Sequence, residues 1–94
     1  MIFLRKSYRK DKKYMVTINN KTIHFGATGY SDFTEHKNIE RKKRYISRHS
    51  ANENWKNIYS SGFWARYILW NKPTLMGSIR DTNKRFGLQI KYVK

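Results

Sequence analysis

Cysteine is absent from the 94 residues, which excludes a disulfide, a zinc–thiolate centre and a thiol nucleophile. Proline occurs once, as Pro73, and glycine five times. No proline- or glycine-rich linker, repeat or low-complexity block divides the chain. Acids are scarce: Asp11, Asp32, Glu35, Glu40, Glu53 and Asp81 are all there are. A metal-dependent nuclease wants two or three convergent carboxylates. The single local grouping is Asp32, Glu35, His36 and Glu40, where helix capping and dipole compensation already account for two acids. No GxxxxGK, HExxH or triad-like arrangement is present. Long apolar runs are missing as well. Met1–Leu4 is apolar, but Arg5 and Lys6 follow at once, too soon for a signal-peptide core or a membrane span. The expectation is a chain with no catalytic residue, no metal ligand, no cofactor and no membrane span, its oligomeric state left open.

What the sequence does have is positive charge. Lys and Arg number 21 against the 6 acids, a formal net charge of +15. A small domain needs a net charge of only about 2–8 for solubility, so the excess asks for a polyanionic partner. Nucleic acid comes first, an anionic membrane second and an acidic protein surface third. Aromatics make up 16% of the chain, although its mean hydropathy is −0.90. Disordered basic tails have no core to build and are poor in aromatics; this chain is expected to fold, and its length allows one domain.

Tyr14–Phe25 has the alternation of a hairpin around Asn19-Asn20, a pair that tolerates positive φ. A two-residue loop pairs Ile18 with Lys21, Val16 with Ile23 and Tyr14 with Phe25, leaving Met15, Thr17, Thr22 and His24 on the other face. Ile2–Tyr8 and Leu88–Val93 are further candidate strands. One helix is expected from Ser31–Thr34 to His49, with Ile39 and Ile46 on its buried stripe. A second, from Gly62 to Trp70, is apolar around most of its circumference and is expected to be the most buried element. A third starts at Pro73 and ends at Gly87. The fold class is α+β: a small antiparallel sheet, made of the N-terminal hairpin plus a C-terminal strand, packed with about three helices.

Three basic clusters are candidate phosphate contacts. Arg5, Lys6, Arg9, Lys10, Lys12 and Lys13 surround the first turn. Lys37, Arg41, Arg44 and Arg48, spaced i, i+4, i+7 and i+11, form a narrow stripe on the first helix, with Tyr45 beside it as a ring that could stack on a base or sugar. Arg80 and Lys84 share a face further on, while Arg85 is placed to pair with Asp81. Phosphate contacts release counterions and position a protein without reading bases, and no base-reading signature accompanies them. Among the tryptophans Trp55 is the better stacking candidate; Trp64 and Trp70 are expected in the core.

Two stretches carry a resemblance. One is Lys21-Thr22-Ile23-His24-Phe25-Gly26 with Gly29–Thr34 and Arg44-Tyr45-Ile46-Ser47-Arg48-His49. The other is Gly62-Phe63-Trp64-Ala65-Arg66-Tyr67-Ile68-Leu69-Trp70-Asn71-Lys72-Pro73-Thr74-Leu75, ending in Ser78–Thr82. From Lys13 to Gly87 the chain resembles a family of small basic proteins of large DNA viruses of eukaryotes, the mimivirus-like and related groups. The resemblance brings no activity and no site residues. It implies a viral source and a place in the virion or in the viral factory of the host cytoplasm, where a large genome must be compacted. The expected function is non-enzymatic, largely sequence-independent DNA binding, with DNA favoured over RNA. The alternative is a virion structural protein whose basic surface docks acidic viral proteins, with Trp55, Ile58 and Tyr59 as its apolar joint.

Overall fold

Tyr14 to Phe25 fold as their alternation requires. In the computed structural model, which describes every residue from Met1 to Lys94, β2 (Lys12–Ile18) and β3 (Lys21–Ala27) pair antiparallel with Ile18 opposite Lys21, Val16 opposite Ile23 and Tyr14 opposite Phe25. Asn19 and Asn20 take φ of 49° and 67°, the two left-handed positions of a type I′ turn. β1 (Ile2–Lys6) lies antiparallel on the other side of β2. The outer edge is β4 (Ile90–Tyr92), giving the order β3-β2-β1-β4.

The sheet is mixed, not wholly antiparallel: β4 runs parallel to β1, with Ile2 opposite Ile90 and Leu4 opposite Tyr92. A hairpin would force an antiparallel pair, but here all the helices lie between β3 and β4, and a long connection of that kind permits a parallel one. Asn83 fixes the arrival: its side chain accepts from the Ile90 N–H at 2.8 Å and donates to the Ile90 carbonyl at 3.2 Å.

The expected first helix is two helices. α1 (Phe33–His36) starts at Asp32, whose carboxylate accepts from the Thr34 N–H, and stops at Lys37, which turns left-handed at φ 56°. α2 (Ile39–His49) restarts after Asn38, whose side chain accepts from the Arg41 N–H. The break turns α2 so that its inward positions are Lys42, Tyr45 and His49. Ile39, expected in the core, is 52% exposed, and Ile46 is only half-buried.

α3 (Ser61–Trp64) continues into a π-turn over Ala65–Leu69, closed by the Trp70 N–H bonding to the Ala65 carbonyl. Phe63, Trp64, Ile68 and Leu69 are buried there, as the all-round apolar pattern predicts. They meet Ile2, Leu4, Val16, Ile18, Phe25 and Ile90 from one face of the sheet, with Ile79 from α4 (Leu75–Phe86). The Trp64 indole N–H donates to the Ile58 carbonyl at 2.7 Å, so its burial leaves no polar group unmatched. α4 begins at the Thr74 cap, one residue after Pro73, and ends at Gly87 with φ 64°. The other sheet face carries the row Lys91, Phe3, Thr17, Thr22 and the row Arg5, Met15, His24.

Gly26 is the tight point between sheet and helices. Its φ is +80°, and a Cβ there would stand 2.7 Å from Leu69 Cδ1 and 3.2 Å from Lys13 Cβ. Left-handed strain and overpacking act together, so Gly26→Ala is expected to lower stability by about 2–3 kcal/mol. Urea denaturation with an unchanged slope checks this; an unchanged midpoint would contradict the packing described.

Candidate nucleic-acid interface

α2 has little of its own to bury, and only Tyr45 among its residues is fully buried, at 7% exposed. The Tyr45 ring lies flat on Trp70, with centroids 4.3 Å apart and planes within 2°, and His49 stacks on Tyr45 at 4.3 Å. His36 stands 5.3 Å from Trp70. Burial pushes the Tyr45 phenol up to about 12, so it stays neutral in ordinary buffers. Lys42 supplies the second anchor. Its Nζ donates to the Asn71 carbonyl at 2.7 Å and sits over the Phe33 ring. Burial and the nearby Arg66, Lys72 and Arg85 hold its pKa below the usual lysine value.

With Tyr45 and Lys42 turned inward, Arg41, Arg44 and Arg48 remain exposed along the side of α2 that adjoins Tyr45. They form one wall of a cleft of about 500 Å³. The opposite wall is the end of the β2–β3 hairpin, with Lys12, Gly26 and Ala27; the floor includes Phe25, Tyr45, Ala65, Leu69 and Trp70. Two basic clusters that lie about 30 residues apart in the chain thus face each other across it.

The cationic surface continues beyond the cleft. Lys12, Lys13 and Asp32 also line an adjoining hollow that includes Lys6, and Lys6 lines a third with Arg5, Tyr92, Val93 and Lys94. Shared lining residues link the three hollows into a track from Arg48 through Lys12 to Lys6, with the Asp32 and Glu35 carboxylates in its middle stretch and Arg5, from the other sheet face, at its end.

Not every expected cation is free on this track. Lys13 Nζ donates to Asp32 at 2.7 Å and also to Glu35. Burial opposes its charge, but the two carboxylates outweigh it and the Lys13 pKa is raised. Arg9 forms a two-pronged pair with Asp11. Lys37 lies at the break, not on the stripe, and its Nζ donates to the Thr34 carbonyl at 2.9 Å. Lys10 projects from the β1–β2 turn and lines none of the three hollows. Arg80 and Lys84 are exposed on α4 and line none of them either, and Arg85 pairs with Asp81 as its spacing suggests. Tyr45, expected to meet a base from the surface, is packed instead, because it is the largest apolar group α2 can offer the core. Asp32 and Glu35 do converge, but on Lys13, and Asp32 also caps α1. Trp55 is half-buried with the Arg66 guanidinium 5.5 Å from its ring, and Ile58 packs on the core, which leaves Tyr59 as the exposed member of the anticipated apolar joint.

Lys12, Arg41, Arg44 and Arg48 meet no carboxylate. The ion pairs of Lys and Arg are Arg9–Asp11, Lys13 with Asp32 and Glu35, Lys43–Glu40 and Arg85–Asp81. Arg41 is legible from its spacing. Lys12, its partner across the cleft, belongs to another cluster in the sequence, and no local signal says that the two meet.

Two outcomes follow. Tyr45→Ala should loosen α2 while the sheet persists, lowering the free energy of opening that helix by about 2–3 kcal/mol; amide exchange would show weakened protection in α2 and retained protection in β1–β3. The Lys13 bridge makes stability depend on pH at both ends. The Glu35 carboxyl is held below its ordinary 4.5 by the Lys13 hydrogen bond, so its contribution is full above that value and lost as pH falls through the lowered one. The Lys13 ammonium is raised above 10.5, so its contribution is full below that value and lost as pH rises past the raised one. Lys13→Met should flatten both limbs of a urea-midpoint profile; a profile that keeps its shape would show the bridge to be inert.

Residues 2–49 match the model of a family of unknown function, DUF5754. Neither a curated protein nor a solved structure matches the chain. The matched residues run from β1 to the last residue of α2, and so contain both walls of the cleft; on that match the chain belongs to the DUF5754 family.

Proposed function

We propose that this chain is a non-enzymatic DNA-binding protein that holds phosphates along its cationic track, largely without regard to sequence. The observation that carries the reading is the continuity of the track. Arg5, Lys6, Lys12, Arg41, Arg44 and Arg48 line hollows that adjoin one another, so the surface is elongated and fits a linear polyanion better than a compact one. Each phosphate neutralised there releases a condensed counterion, and the gain is entropic and independent of the bases. Arginine suits the role because its planar fork meets phosphate oxygens two at a time. The resemblance to small basic proteins of large DNA viruses supports a narrower task, condensing a viral genome in the factory or the virion. DNA is favoured over RNA on the same ground.

The test is fluorescence anisotropy of labelled duplex DNA across a salt series. Replacing Arg41, Arg44 and Arg48 together by Gln should weaken binding to unrelated sequences alike, and should reduce the slope of log affinity against log salt by roughly 2–3, about one unit for each phosphate no longer neutralised. Arg80→Gln with Lys84→Gln, outside the track, should change it less. Equal weakening by both sets would mean that total charge, and not the track, governs binding. Retained affinity in the triple variant would refute the assignment.

A further inference from the structure

Duplex DNA offers its surroundings sugars and phosphates, with the base faces stacked inside. The cleft between α2 and the hairpin end is built for more than phosphate. Its rim is mostly cationic, although Asp32 and Glu53 also line the cleft, and the half-buried Ala65 and Trp70 supply an apolar floor above the fully buried Phe25 and Leu69. The glycines of the lining are closely packed: a Cβ at Gly26 would meet Leu69, and one at Gly62 would meet the Glu53 carboxylate. Tyr30 stands at the mouth, 76% exposed, and its ring meets no other aromatic or cation within the chain. At about 500 Å³ the cleft is of the size that encloses a drug-sized ligand and far too small to admit a duplex. A nucleotide has the matching parts: an anionic phosphate for the rim and a flat apolar face for the floor.

We infer that the cleft takes single-stranded nucleic acid, with phosphates held between Lys12 and the Arg41–Arg44–Arg48 wall and one base laid on the Tyr30 ring over Ala65 and the accessible part of Trp70. The inference rests on the phosphate-binding reading above and adds to it the form of the strand. Stacking of this kind is tolerant of sequence because every base has a π-face.

The probes are three fluorescein-labelled oligomers: an oligothymidylate of about ten nucleotides, within the range of known single-strand site sizes, an abasic deoxyribose-phosphate strand of the same length, and a duplex. The oligothymidylate is expected to bind about tenfold more tightly than the abasic strand, the equivalent of one stacked base. Ala65→Leu, which fills the floor without changing charge, and Tyr30→Ala, which removes an exposed ring, should each shrink that ratio toward one. A thermal melt establishes that each variant is folded; if Ala65→Leu does not fold, Tyr30→Ala carries the comparison alone. Equal binding of the base-bearing and abasic strands would overturn the inference while leaving phosphate binding intact. So would a ratio unchanged in the folded variants. Failure of all three probes to bind would instead overturn the phosphate reading on which the inference stands.

Discussion

The Tyr45 ring lying flat on Trp70 decides where the cations of α2 go. The helix is 11 residues long, short enough that in isolation it would be marginal in water. One aromatic stack and one lysine hydrogen bond, Lys42 to Asn71, hold it to the body of the protein. An offset aromatic pair adds about 0.5–1.5 kcal/mol beyond the area it buries. Fixing Tyr45 inward fixes the stripe beside it, because Arg41 and Arg48 lie four residues before and three after it and Arg44 adjoins it, so all three line the cleft that faces the hairpin end. A purely aliphatic stripe through Ile39 and Ile46 would have rotated the same helix and turned the arginine stripe away from the cleft.

Charge is the second constraint, and the acids answer it locally. Five of the six carboxylates are engaged with Lys or Arg inside the chain, and the sixth, on Glu53, lies 3.4 Å from His49 Nδ1. Four of the 21 Lys and Arg therefore meet an acid: Arg9, Lys13, Lys43 and Arg85. The rest repel one another wherever they lie within a Debye length, about 10 Å at 0.1 M salt. A bound polyanion relieves that repulsion in the folded state, where the cations are held together, more than in the unfolded chain. Binding and stability are then linked, and a strand that occupies the track should raise the melting temperature in proportion to the logarithm of its concentration over its dissociation constant.

The hairpin is legible to the residue because side-chain alternation and a two-residue Asn-Asn loop over-determine its register. The buried character of Phe63–Leu69 and the end of α4 at Gly87 are legible for similar local reasons. The break between α1 and α2 is not, because Lys37 is no habitual left-handed residue; the signal is Asn38 followed by Glu40, a cap and a first-turn acid that a longer periodic pattern masks. The parallel arrival of β4 depends on where the four intervening helices leave the chain, which no local pattern states. Tyr45 escapes a reading of the sequence because Ile39 and Ile46 offer a more obvious stripe. The i, i+4 aromatic pair Tyr45–His49, on a helix with so few apolar residues, marks the inward face. The clusters themselves can be read from composition, but their convergence is a tertiary fact that involves Gly26 and Leu69 as much as any arginine.

The π-turn ties these elements together. An extra residue in one turn shifts every later side chain by about 100° relative to an α-helix, and such turns gather at functional sites. Here the turn ends at Trp70, beneath Tyr45, after setting Ala65 and Leu69 into the cleft floor. The Tyr67 carbonyl accepts from Thr82 Oγ1 at 3.0 Å and from Asn71 Nδ2 at 3.1 Å. Asn71 also donates to Asp81, and its carbonyl receives Lys42. The polar neighbours of the turn are therefore the same groups that anchor α2, and the irregular backbone is held by the contacts that present the cationic helix. Had Ala65–Leu69 continued as α-helix, Trp70 would point elsewhere, Tyr45 would lose its platform, and the arginine wall would lose the aromatic stack that holds it opposite Lys12.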